Sequence, residues 1–162
     1  MPKLFTEREL ECLEALRLAI KKAEHDIRRR KTPKARYRAA VRASRDIYAL
    51  KEKFFADEGV GMAFIRGKKL TMGEFCPLCR LAKIWDDEGY AGHYCELGSD
   101  VLCPLRDDVL SCCREWEDMQ EQFYEPKDDK RPFLKAFAKL KKRIDSLDEG
   151  RLPEKNEGGT CK

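Results

Sequence analysis

Residues 6–57 decide the fold, and they read TERELECLEALRLAIKKAEHDIRRRKTPKARYRAAVRASRDIYALKEKFFAD. The segment opens on Thr6 and Glu9, which match a capping box and predict a helix that starts there. Apolar side chains then recur every three or four residues, as on the buried face of an amphipathic helix: Leu13, Leu16, Ile20, Ala23 and Ile27. Pro33 predicts that this helix ends near Lys31.

A second helix is predicted from Pro33 to about Asp57, because a Thr32-Pro33 pair favours a helix start and Gly59 disfavours continuation. One side of this helix is less polar than the other and carries Tyr37, Val41, Ser44, Ile47 and Tyr48. Two amphipathic helices joined by a short connection pack antiparallel. Residues 1–57 are therefore predicted to form a helical hairpin with a basic second helix.

Two more elements are predicted after the hairpin. Residues 60–75 read VGMAFIRGKKLTMGEF, and two short stretches rich in strand-forming residues around Gly67 predict a small β-hairpin. Residues 126–149 predict a C-terminal helix with Pro132 near its first turn and an apolar seam: Phe133, Phe137, Leu140, Ile144 and Leu147. The seam needs a partner, either the hairpin or a second copy of the chain, so a homodimer is one of two predictions. Residues 150–162 are predicted to be a flexible tail.

Cysteines concentrate in the middle of the chain, where six of the eight lie: Cys76, Cys79, Cys95, Cys103, Cys112 and Cys113. The Cys-Pro-Leu-Cys turn starting at Cys76 supplies two thiolates at the spacing that tetrahedral zinc requires. The other two ligands must come from the remaining four cysteines or from His93. Cys103 begins a second Cys-Pro-Leu sequence. Ser111 is suited to cap a helix whose first turn carries Cys112, and a thiolate at a helix start is favoured by the helix dipole.

We therefore predict one structural zinc ion, and the predicted ligands are Cys76, Cys79, Cys103 and Cys112, with Cys95 as the alternate. Burial as a free thiol explains an isolated cysteine such as Cys12 better than it explains a run of six cysteines. A thiol-disulfide motif would follow a strand in a strand–helix–strand unit, which this sequence does not suggest. The predicted fold is mainly α, with the hairpin packed against a small structural-zinc module at residues 58–125 and the C-terminal helix.

From Cys76 to Trp116 the cysteines occur in a fixed order: Cys-Pro-Leu-Cys, a single Cys, Cys-Pro-Leu, and a Cys near a Trp. This order resembles that of small cysteine-rich proteins encoded by bacteriophages. Such proteins often have a second Cys-x-x-Cys, whereas here Cys95 and Cys103 are separated by seven residues. The resemblance implies a cytosolic zinc-binding accessory protein that acts by binding, and it raises the prospect of an anti-defence role.

Charge is segregated along the chain. Nine basic residues and no acidic residue lie between positions 28 and 45, while thirteen acidic residues face four basic ones between positions 74 and 125. Five of the basic side chains are predicted to contact nucleic acid or another polyanion as a stripe, namely Arg30, Lys34, Arg38, Arg42 and Arg45. Alternatively, the basic helix docks on the acidic zinc module of its own chain or is an ordinary solvated face. Tyr37 and Tyr48 lie beside the stripe, and we expect them to be buried in the core and not to stack on bases.

The leading prediction is a non-enzymatic, zinc-stabilised binding protein. An alternative is a phage-type anti-defence inhibitor or adaptor that binds a host protein, with the acidic zinc module imitating nucleic acid. The sequence shows no Gly-rich phosphate loop, nucleophile elbow or His-rich metal site, which argues against an enzyme. It also lacks an apolar run of about 20 residues, and its first residues do not resemble a secretory signal. A cytoplasmic protein without a membrane partner is the expectation.

Overall fold

The computed structural model describes residues 5–71, 75–78, 80–81, 84, 118–119, 121, 129–147 and 149–150. Four helices have both ends within these ranges: α1 (Glu7–Arg29), α2 (Pro33–Phe55), α3 (Met62–Gly67) and α4 (Arg131–Asp145). Residues 77–78, 80–81, 84, 118–119 and 121 are helical as well. No strand occurs in this part of the chain. The prediction of a mainly helical protein is therefore confirmed.

The predicted capping box opens α1. The Thr6 hydroxyl accepts a hydrogen bond from the backbone N–H of Glu9 (3.0 Å), and the Glu9 carboxylate accepts one from the backbone N–H of Thr6 (2.9 Å). These two bonds satisfy amide groups that have no partner inside the helix. The same carboxylate also accepts from Gly61 N–H at 3.1 Å, so the first turn of α1 is bonded to the chain just before α3.

The long helices α1 and α2 pack against each other and run antiparallel. Arg8, in the first turn of α1, pairs with Asp57, just beyond α2, at 2.8 Å. At the opposite end, Arg36 in the first turn of α2 donates to the carbonyl of Arg30 at 2.9 Å. Apolar side chains fill the space between these ends, and they include Leu16, Ile27, Ala40 and Val41.

Helix α4 packs on α2 of the same chain. Phe137 stacks on Tyr48, with ring centroids 5.7 Å apart, and meets Phe55 edge-on at 5.2 Å. Lys130 Nζ donates to the carbonyls of Phe55 and Asp57, both at 2.8 Å, and so satisfies acceptors at the carboxyl end of α2. The seam that raised the prospect of a homodimer is therefore covered by α2.

The β-hairpin predicted within residues 60–75 is wrong, because the described part of this segment contains α3 instead of strands. One helical turn brings Met62 and Ile65 to the same side, and both are buried in the core. Phe64 is buried as well, against the ring of Phe5 at 5.2 Å. In so short an apolar run, helical and strand spacings are nearly indistinguishable, and packing decides between them.

Helix ends differ from their predicted positions by a few residues. Helix α1 ends at Arg29 instead of Lys31, α2 ends at Phe55 instead of Asp57, and α4 is shorter than the predicted 126–149. The predicted zinc module and the tail lie largely outside the described residues, so the division into domains stays a prediction. No helix in the described part of the chain is long and apolar enough to cross a membrane.

Candidate nucleic-acid interface

The exposed side of α2 presents a row of basic side chains, which we call the basic arc: Lys34, Arg38, Arg42 and Arg45. Thr32 caps the helix by accepting from Ala35 N–H at 3.1 Å, and Pro33 occupies the first turn. Because Tyr37 and Tyr48 turn into the core, each only 2% exposed, the core placement is confirmed for both. The basic arc lies beside these two tyrosines, with its members at spacings of three and four residues on the solvent-facing side of α2.

Arg36 belongs to the basic run but not to the basic arc. It is buried, and its guanidinium donates from Nε to the carbonyl of Arg30 and from Nη2 to the carbonyl of Arg28, at 2.9 and 3.2 Å. Carbonyls at the carboxyl end of a helix are partly negative and have no partner inside the helix. Arg36 therefore stabilises the end of α1 and the turn between the two helices.

The basic side chains at the end of α1 are paired with acidic residues of the same helix. Arg28 pairs with Glu24 at 3.2 Å, and Asp26 accepts from Arg29 at 2.8 Å and from Arg30 at 3.2 Å. Burial disfavours the charged form of Asp26 and by itself would raise the pKa of the carboxyl group. Hydrogen bonds and charges from Arg29 and Arg30 outweigh burial, so the pKa of Asp26 is lowered. Arg30, one of the five predicted binding residues, is thus already engaged.

Arg42 and Arg45 converge on one carboxylate, that of Glu149, just beyond the end of α4. Arg42 donates from Nε and Nη2 at 3.0 and 2.8 Å, and Arg45 donates from Nη1 at 3.2 Å. Arg45 Nη2 also donates to the carbonyl of Leu147. The hydrogen bond from Arg42 and the charges of both arginines and of Arg38 lower the pKa of Glu149.

This contact bears on the predicted docking of the basic helix within its own chain. In the described residues the basic helix pairs with Glu149, and most acidic residues of the predicted zinc module lie outside the described residues. This pairing engages only one end of the basic arc. Lys34 and Arg38 are exposed, and within the described ranges neither forms an ion pair.

A second basic element lies beside the arc and was missed by the sequence analysis. Helix α4 carries six basic residues and a single acidic one. Lys141 pairs with that acid, Asp145, at 2.8 Å, while Lys135, Lys139 and Lys142 are exposed. Leu147 and Glu149 contact Arg45, so the carboxyl end of α4 lies against the basic arc. Counting charge in residues 131–143 would have revealed this element.

Of the predicted zinc ligands, the structure describes Cys76 alone. It is 5% exposed, it is not in a disulfide, and its carbonyl accepts from Arg80 N–H at 3.0 Å. Cys79, Cys95, Cys103 and Cys112 lie outside the described residues. Among the residues that are described, no three His, Cys, Asp or Glu side chains come together as metal ligands.

Cys12 lies in the core, as the sequence analysis favoured. It is fully buried in α1, and burial raises the pKa of its thiol to about 11. The thiol therefore stays protonated near neutral pH, which makes Cys12 a poor nucleophile and a poor metal ligand.

No protein-family model, curated protein or solved structure shows significant similarity to this chain.

Proposed function

We propose that this chain is a non-enzymatic, zinc-stabilised protein that binds nucleic acid through its basic arc. The observation that supports the proposal best is the state of Lys34 and Arg38. Both are exposed on α2, one turn apart, and neither forms an ion pair with an acidic side chain among the described residues. Charges held in this way attract a phosphate backbone without first having to break an ion pair.

The dimensions of the basic arc suit a nucleic-acid strand. From Lys34 to Arg45 the helix rises about 17 Å at 1.5 Å per residue. A strand of B-form DNA advances about 3.4 Å per nucleotide along the duplex axis, so an arc aligned with that axis spans roughly five nucleotides. Since Tyr37 and Tyr48 are buried, they are not placed to stack on bases, and phosphate contacts should dominate. We expect weak sequence preference.

Zinc has a structural role in this proposal. A closed site of four cysteine sulfurs leaves no position for a substrate or an activated water. We propose that Cys76, Cys79, Cys103 and Cys112, with Cys95 as the alternate, hold the ion and so order the segment that follows α3. Cys76 supports this because its side chain is buried at the first position of the Cys-Pro-Leu-Cys turn.

Exchange of Lys34 and Arg38 for Gln should weaken binding of a labelled 20-mer, both as a single strand and as a duplex. We expect the Kd to rise about tenfold at low salt, because two phosphate contacts are lost. The matched control is the Arg17→Gln, Lys21→Gln pair, which removes the same two residue types at the same spacing from the exposed side of α1. This control should change the Kd less than about twofold. Fluorescence anisotropy measures both.

Equal losses of nucleic-acid affinity in the two double variants would show that only net charge matters, and they would contradict a binding site on the basic arc. Absence of binding by the unaltered chain would contradict the proposal itself. If the Lys34 and Arg38 exchange released a co-purifying host protein and left nucleic-acid binding unchanged, the adaptor function would be supported instead.

A further inference from the structure

Arg42 and Arg45 already hold an oxyanion in this structure. Five atoms define the contact: Nε and Nη2 of Arg42, Nη1 of Arg45 and both carboxylate oxygens of Glu149, at 2.8 to 3.2 Å. Arg42 approaches side-on with two parallel N–H groups, which is the fork geometry that guanidinium uses for carboxylate and phosphate alike. Two guanidinium groups three residues apart thus form a clamp around a single anionic group.

Glu149 is placed so that it can leave the clamp without disturbing a helix. It lies beyond Asp145, the last residue of α4, and its side chain is 28% exposed. The Arg42 side chain is 63% exposed, so water and solutes reach the pair. Exposed ion pairs of this kind are weak and screened by salt, and a polyanion competes effectively for them.

We infer that Arg42 and Arg45 form a phosphate-binding clamp of the nucleic-acid site and that Glu149 occupies it as an internal competitor. The inference rests on the proposed function. With Glu149 in place, Lys34 and Arg38 are the two cations of the basic arc that form no ion pair among the described residues, and after its displacement the basic arc offers all four cations. The structure therefore corresponds to the lower-affinity form, and a bound strand stabilises the form with Glu149 released.

The expected gain follows from the fraction of molecules with an open clamp. The apparent Kd equals the intrinsic Kd divided by that fraction, so a clamp that is closed in about nine molecules of ten weakens binding about tenfold. Replacing Glu149 by Gln keeps the shape of the side chain and removes the charge. We expect Glu149→Gln to lower the Kd for a labelled single-stranded 20-mer about five- to tenfold at low salt.

Asp145→Asn is the matched control. It removes one negative charge four residues earlier, from an exposed carboxylate that pairs with Lys141 instead of the basic arc. We expect it to change the Kd less than about twofold. The same Glu149→Gln exchange in a chain that also carries Arg42→Gln and Arg45→Gln should give no gain, because the clamp is then absent.

Equal effects of Glu149→Gln and Asp145→Asn would overturn the inference, and so would a gain that persists without Arg42 and Arg45. Either result would leave the proposed function intact, since the unaltered chain would still bind. Failure of every variant to bind the probe would overturn the proposed function and the clamp together. Far-ultraviolet circular dichroism before and after heating confirms that each variant is folded.

Discussion

Replacing Phe137 by Ala should lower the free energy of unfolding by about 3–5 kcal/mol, the usual range for truncating a buried aromatic side chain. Phe137 is 1% exposed and touches Tyr48, Phe55 and Phe133, with ring centroids 5.2 to 6.2 Å away. The exchange removes these ring contacts and leaves a cavity between α2 and α4. Urea denaturation followed by circular dichroism measures the loss.

Lys135→Ala provides the comparison for this experiment, because Lys135 is on the exposed side of the same helix. Removing it should change stability by no more than about 0.5 kcal/mol. A loss below about 1 kcal/mol for Phe137→Ala would contradict tight packing of α4 on α2. It would also remove the framework that brings Glu149 to the basic arc.

Cys76→Ser should abolish zinc binding at the proposed site, because a tetrahedral site loses one of its four sulfur ligands. We expect the unaltered chain, purified in metal-free buffer, to carry one zinc ion, and the variant to carry almost none. Structural zinc sites contribute on the order of 10 kcal/mol to folding in small zinc domains, so a strong chelator should unfold the segment around the site. Elemental analysis and thermal denaturation with and without chelator measure the two effects.

Cys12→Ala controls for the removal of a buried thiol. Cys12 is fully buried in the apolar core and its raised pKa disfavours metal binding, so this variant should keep its zinc. Less than half a zinc ion per unaltered chain would contradict the proposed site. Equal zinc content in the Cys76 and Cys12 variants would exclude Cys76 from the ligands.

Local signals predicted α1 and α2 well. The capping box at Thr6 and Glu9 and the regular apolar spacing after it involve residues three or four apart, and the structure shows both. The connection at Pro33 was also predictable from the sequence, since proline restricts the backbone around it in any context. The six-residue α3 was not predictable from the sequence, because its conformation depends on the core that buries Met62 and Ile65.

Contacts between distant parts of the chain escaped the sequence analysis. Arg42 and Glu149 are 107 residues apart, and no local pattern indicates that they meet. The burial of Arg36 was hidden for a related reason, since its partners are backbone carbonyls, which every residue has. The apolar spacing in residues 131–145 predicts the buried side of α4, and the six basic residues of the same stretch indicate its basic side.

The salt dependence of nucleic-acid binding tests the central claim most directly. The basic arc brings four cations to a bound strand: Lys34, Arg38, Arg42 and Arg45. Each phosphate contact contributes about −0.9 to the slope of log K against log salt concentration, so four contacts on duplex DNA predict a slope of about −3.6. Anisotropy titrations of the unaltered chain at increasing salt give this slope, and a flat isotherm at low salt or an affinity independent of salt would contradict the account.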